Sequence, residues 1–267
     1  MPPVAPPGAT PPPVPLPAAF LTTPIAHRAW HDRRQRRPEN SPAAIRAAVA
    51  AGYGIEIDLQ LSSDGQAIVF HDYNLARLTD ARGPLATRSA ADLGRIRLRD
   101  SDDTIPTLPQ VLGLIAGRVP LLIEIKDQDG HLGPDIGALE AATAAALASY
   151  AGPVALMSFN PHSVAAMGRL APHLPRGLTT SAYDPAGWAP LPARICDALR
   201  EIPDYTRTGA SFISHEWADL GRPRVAELKS RGAAILCWTI KSPADEAIAR
   251  RIADNITFEG YAARHPA

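Results

Sequence analysis

Cysteine is nearly absent. Cys196 and Cys237 are the only two in 267 residues, and they stand too far apart to form a redox or metal-binding motif. They predict two buried thiols, and they neither demand nor exclude an oxidising compartment. Charge of one sign is missing too: 27 Lys and Arg balance 27 Asp and Glu. No global field gathers nucleic acid or an anionic membrane. No apolar run approaches the ~18 residues of a membrane span. The N-terminus lacks the basic and continuous apolar regions of a secretory signal. A cytoplasmic chain with no nucleic-acid partner and no membrane span is the expectation that remains.

Proline and apolar residues are plentiful. Prolines crowd the N-terminus from Pro2 to Pro17, so residues 1–20 read as a disordered or polyproline-like tail. An apolar content of 46% supplies a sizeable core for residues 21–267, a length that suits one α/β barrel of roughly 250 residues.

Short apolar runs at 24–27, 54–59, 121–126, 154–159, 176–180, 211–214, 233–238 and 255–257 alternate with Ala-rich stretches at 41–51, 108–115, 136–150, 160–170, 195–200, 222–231 and 242–253. Alternating strands and helices predict parallel βα units, and the strand candidates suffice to close a (β/α)8 TIM barrel. The run at 66–70 is separated from Leu59 by a stretch too short for a parallel crossover and containing Asp64-Gly65. It therefore predicts an antiparallel hairpin return after strand two, which brings His71 down to the level of Glu56 and Asp58. The hairpin opens an insertion, about 60–107, over the barrel mouth.

Strand alternation puts Glu56 and Asp58 on one face and Ile55, Ile57 and Leu59 on the other. Two carboxylates in a lumen repel each other and desolvate at high cost unless a cation sits between them. Leu121-Leu122-Ile123-Glu124-Ile125-Lys126 repeats the pattern on the next barrel strand. Alone it is equally an ordinary Glu–Lys pair; with Glu56 and Asp58 it adds a third carboxylate. An all-oxygen set suits one divalent cation, Mg²⁺ or Ca²⁺, rather than zinc. His27 and His71 each close an apolar run, and two imidazoles at one mouth can serve as base and acid. Arg28 can fork onto phosphate oxygens. Glu39 is either a helix-cap carboxylate or a partner of Arg28, and Trp238 either a substrate wall or core. His215 is a candidate for the mouth, and His31 has no assigned role. The basic run 32–37 reads as a solvated loop.

His27-Arg28, Pro38-Glu39-Asn40-Ser41, Glu56-Ile57-Asp58, Asp64-Gly65, His71-Asp72, Ile105-Pro106-Thr107-Leu108, Glu124-Ile125-Lys126, Ser158-Phe159 and Trp238-Thr239 occur in that order. Over about 22–258 the chain resembles the glycerophosphodiester phosphodiesterase family of phospholipase C-like barrels. The resemblance implies a (β/α)8 barrel with an insertion after strand two. It implies His27 and His71 as general base and acid, and Glu56, Asp58 and Glu124 as metal ligands. It also implies Arg28 and Lys126 as phosphate contacts. The pattern departs at Ala29, where the family usually has glycine, and at Ile256-Thr257-Phe258-Glu259-Gly260 in place of an Ile-Thr-Asp type of strand end.

The expected activity is metal-dependent hydrolysis of a glycerophosphodiester to sn-glycerol 3-phosphate and an alcohol. Two alternatives stand beside it. One is a lysophospholipase D, whose acyl chain would lie on Trp30, Trp188, Trp217 and Trp238. The other is a non-catalytic binding barrel.

Overall fold

The computed structural model describes residues 13–266. Strands β1 (Ile25–Ala26), β2 (Gly54–Leu61), β4 (Leu121–Ile125), β5 (Val154–Ser158), β6 (Arg176–Thr180), β7 (Phe212–Glu216), β8 (Ala234–Ile240) and β9 (Asn255–Phe258) pair in parallel. Because β1 pairs with both β9 and β2, the sheet closes into an eight-stranded barrel. β3 (Ala67–Val69) pairs antiparallel with β2, Leu59 opposite Val69. This is the hairpin return expected from Asp64-Gly65. β1 is shorter than the run 24–27 because Arg28 and Ala29 take left-handed φ of 51° and 65°, which ends the strand at once.

The helices are α1 (Ala19–Thr22), α2 (Pro42–Ala51), α3 (Ala90–Leu93), α4 (Leu108–Ile115), α5 (Ala138–Leu147), α6 (Pro161–Leu170), α7 (Ala193–Arg200), α8 (Pro223–Ser230) and α9 (Pro243–Ala249). Much of the proline serves as helix starts. Ser41, Asn160 and Ser242 cap α2, α6 and α9, each accepting a backbone N–H, with proline next in line. Ile55, Ile57 and Leu59 face outward and pack with Ile45 of α2 and Val111 and Ile115 of α4 in the main core.

The lower lumen is apolar. Ile25, Leu122, Ala155, Met157, Phe212 and Leu236 fill it, and Leu16 and Phe20 close it from below. A Cβ at Gly177 would lie 2.5 Å from the Phe212 ring, so glycine is what leaves room for that ring. The boundary drawn at residue 20 is thus corrected. Pro13 onward is described, Leu16 and Phe20 are buried, and Asn255 donates to the carbonyls of Phe20 and Thr23 at 2.8 and 2.6 Å. Proline density masked the apolar side chains that plug the barrel floor. The rest of the expected tail, 1–12, lies outside the described residues.

The insertion carries its own apolar cluster, with Ile68, Phe70, Leu75, Leu78, Leu85, Leu93, Leu98 and Ile105. Exposed pairs Arg33–Asp100 and Arg36–Asp102 tie it to the basic loop after β1. Among the described residues no helix is long and apolar enough to cross a membrane.

Candidate active site

Above the apolar floor, the inward positions of β4, β6 and β7 become polar, while Met157 of β5 stays apolar opposite Glu124. Asp58 lies opposite Glu124 in the β2–β4 register. Glu56, Asp58 and Glu124 are all buried, with ligand-capable oxygens within 4.8 Å of one another. Burial and the charges of Asp58 and Glu124 push the Glu56 carboxyl well above its usual range. Asp58 is held well below it: burial opposes ionisation, but Lys126, His71 and Arg28 outweigh burial.

Lys126 follows β4 and bonds both Asp58 Oδ1, at 2.8 Å, and Glu124 Oε1, at 2.5 Å. Asn40 donates its amide to Asp58 Oδ2 at 2.9 Å. The left-handed turn at Arg28 aims its backbone N–H at Glu56 Oε2, 2.8 Å away. Glu56 Oε1 is buried with no hydrogen-bond partner. An orphaned carboxylate oxygen inside a three-carboxylate cluster fits a hard divalent cation, because Lys126 and Arg28 bring two positive charges to these three acids and Glu39.

His27 and His71 converge on this cluster. With Arg28, Glu56, Glu124, Lys126 and Trp238 they line a cavity of about 110 Å³. Each imidazole is anchored through Nδ1: His27 to Glu259 Oε2 at 2.7 Å, His71 to Asp72 Oδ1 at 2.6 Å. Burial lowers the pKa of His27 despite Glu259. The hydrogen bond from His27, with the His31 imidazole 3.5 Å away, holds the Glu259 carboxyl well below its usual range. Glu39 accepts from Arg28 at 2.7 Å and from both terminal nitrogens of Arg77 at 2.7 Å, while Ser41 is the helix cap. Arg77 also forks onto Asp72, so one ion-pair chain runs from Arg28 to His71.

Trp238 lines the cavity, donates Nε1–H to Ser214 O at 2.9 Å and meets Phe159 edge-on at 5.6 Å. A second cavity of about 460 Å³ shares His71, Glu124, Lys126 and Phe159 with the first and extends over Tyr73, Leu132 and Trp188. Trp30 and Trp217 line neither cavity; Trp30 packs on Tyr53, and both flank the main core. His215 is corrected as well. It sits within β7, fully buried, bonded to Thr180 Oγ1 at 2.8 Å and to Asp219 at 3.3 Å.

Sequence reading missed Glu259, Asn40, Asp72 and Arg77 as partners of the site. Two of them stood inside quoted motifs. Glu259 carried one signal, its place in a strand end that departs from the resemblance.

The Glycerophosphoryl diester phosphodiesterase family model matches residues 27–256. Glycerophosphodiester phosphodiesterases from Caldanaerobacter subterraneus subsp. tengcongensis and Bacillus subtilis are 32% and 26% identical over 58% and 72% of this chain. The matched segments span 65% and 68% of those two relatives. A solved Oleispira antarctica phosphodiesterase, in complex with the product sn-glycerol-3-phosphate, is 25% identical with a TM-score of 0.72, covering 90% of this chain and 94% of that one. The family match begins at His27 and takes in the three clustered carboxylates and both imidazoles; the chain belongs to the glycerophosphoryl diester phosphodiesterase family.

Proposed function

We propose that this chain hydrolyses glycerophosphodiesters to sn-glycerol 3-phosphate and an alcohol, with His27 and His71 as the acid–base pair. The observation that carries the reading is the gathering of two anchored imidazoles and three buried carboxylates around one cavity. Glu56, Asp58 and Glu124 would hold one divalent cation, Mg²⁺ or Ca²⁺. When bound, that ion supplies positive charge where the phosphate oxygens gain negative charge in the transition state.

The chain's own groups do the rest. Arg28 and Lys126 bind the phosphate oxygens, with Glu39 fixing the guanidinium. Trp238 closes one wall against water. A neutral histidine that donates Nδ1–H to a carboxylate keeps Nε2 bare, ready to accept a proton. One histidine takes the proton of the nucleophile, and the other, protonated, gives its proton to the departing alcohol oxygen. The scheme holds for water or for the neighbouring glycerol hydroxyl as nucleophile.

His27→Ala and His71→Ala should each lower the rate of glycerol 3-phosphate release by about 10³-fold while the protein stays folded. Near-normal turnover by either variant contradicts the assignment. The larger cavity, walled by Tyr73, Leu132, Phe159 and Trp188, favours a second reading in which the substrate keeps one acyl chain. Faster turnover of lysophosphatidylcholine than of glycerophosphocholine would select it.

A further inference from the structure

A second cluster of metal-capable side chains adjoins the carboxylate site without belonging to it. His27, His31 and Glu259 bring their ligand atoms within 4.8 Å of one another. His27 ends the first strand, and His31 returns toward it through the left-handed turn at Arg28 and Ala29, its N–H bonding Ala29 O at 2.9 Å. Glu259 follows directly on β9. Its Oε2 lies 2.7 Å from His27 Nδ1 and 3.5 Å from His31 Nε2, while Lys241 holds Oε1 at 2.9 Å. His31 Nε2 has no hydrogen-bond partner. One carboxylate oxygen and two imidazole nitrogens thus face a common point, and the second carboxylate oxygen is already fixed.

We propose that His27, His31 and Glu259 form a second, inhibitory cation site that takes Zn²⁺ or a similar nitrogen-preferring ion. The donor types separate the two sites. Three oxygens suit Mg²⁺ or Ca²⁺, whereas two imidazoles and a carboxylate are the ligand set of open zinc sites. Zinc–ligand bonds of about 2.0–2.2 Å require donors somewhat over 3 Å apart. The Glu259–His31 spacing already satisfies this, and the His27–Glu259 pair has only to relax by less than about 1 Å. His27, His31 and Glu259 side chains are 16%, 23% and 21% exposed, and although His31 Nε2 itself is buried, a turn of its partly exposed ring opens it to an ion from solvent. The His31 side faces an open depression lined by Trp30, Asp32 and Tyr261 and also by Arg34 and Arg37, whose charge slows a cation's entry without closing the route.

Occupation has a chemical consequence. A metal on Nδ1 of neutral His27 sends the ring's single proton to Nε2. The nitrogen otherwise free for substrate becomes a donor and no longer accepts a proton. Turnover stops although the carboxylate cluster keeps its own ion. This effect on rate rests on the function proposed above; the binding does not.

The test uses the full chain with Mg²⁺ or Ca²⁺ in excess. Co²⁺ absorbance reports binding, and glycerol 3-phosphate release under added ZnCl₂ reports inhibition. Wild type should show one tetrahedral Co²⁺ signal and lose activity to Zn²⁺ whatever the Mg²⁺ or Ca²⁺ concentration. His31→Ala, with His31→Gln as a second variant, should keep the basal rate, lose the Co²⁺ signal and need about 100-fold more Zn²⁺ for inhibition. Equal Zn²⁺ sensitivity in wild type and the His31 variants overturns the proposal. So does relief by excess Mg²⁺ or Ca²⁺, which would put zinc on the Glu56 cluster. Should the wild type show no turnover on these substrates, the functional reading fails, and the Co²⁺ signal alone still decides the site.

Discussion

The floor and the mouth of the barrel lumen are built by the same strands two residues apart, and they follow opposite rules. On β4 the inward pair is Leu122 and Glu124, on β7 it is Phe212 and Ser214, and on β6 Gly177 and Thr179. At the floor, side-chain volume is matched ring against missing Cβ, and the polar Asn255 amide is fully satisfied by the carbonyls of Phe20 and Thr23. At the mouth, three acids, Lys126 and Arg28 share a small buried space, and Glu56 Oε1, Thr179 Oγ1 and Thr257 Oγ1 lack partners. The floor contributes stability, whereas the mouth holds acids whose mutual repulsion Lys126 and Arg28 offset only in part.

Substitution should separate the two ends. Glu56→Gln at the mouth is expected to lower kcat/KM by at least about 10³-fold. It should leave the metal-free protein as stable as wild type or about 1 kcal/mol more so, since it removes one of three crowded charges. Parallel urea titrations check this, and a loss of several kcal/mol would break the contrast. Phe212→Ala at the floor should do the reverse, costing about 3 kcal/mol with a rate per folded molecule within about twofold of wild type. A collapse of kcat in folded protein would show that floor and mouth are coupled.

The pH response sharpens the comparison, because the apolar cluster of the floor holds no titratable side chain while the mouth holds several. Burial opposes ionisation of Asp72, but hydrogen bonds from His71 and Arg77 hold its carboxyl well below the usual carboxylate range. A depressed folded-state pKa gives stability that is present above the unfolded value and lost as pH falls below it. Wild type should therefore lose stability below about pH 4, and Asp72→Asn should flatten that acid limb. Unchanged acid unfolding in the variant would remove Asp72 from the account. The smallest effect belongs to Ala29. Glycine would relieve about 1–2 kcal/mol of left-handed strain. The added chain entropy and the lost buried methyl offset most of that gain. Ala29→Gly should then shift stability by about 0.5 kcal/mol or less, read as a change of a degree or two in Tm.

The barrel was legible because alternation on 54–59 and 121–126 is a local pattern, and because Asp64-Gly65 leaves no room for a crossover. The carboxylates and imidazoles were legible for the same reason: each ends or lines an apolar run. Their partners were not. Glu259 meets His27 across 232 residues and Asn40 meets Asp58 across 18, contacts that exist only once β1 closes the sheet between β9 and β2. Phe20 was hidden for a related reason. The floor it plugs is formed by strands far along the chain, while the segment leading up to it is crowded with prolines, the last of them Pro17.

The most direct test of the central claim is glycerol 3-phosphate release from glycerophosphocholine by chelator-treated protein, before and after Mg²⁺ or Ca²⁺ is returned. The account predicts no turnover in the chelated protein and recovery with at least one of the two ions. Full activity under chelation, or none with either ion restored, would contradict it.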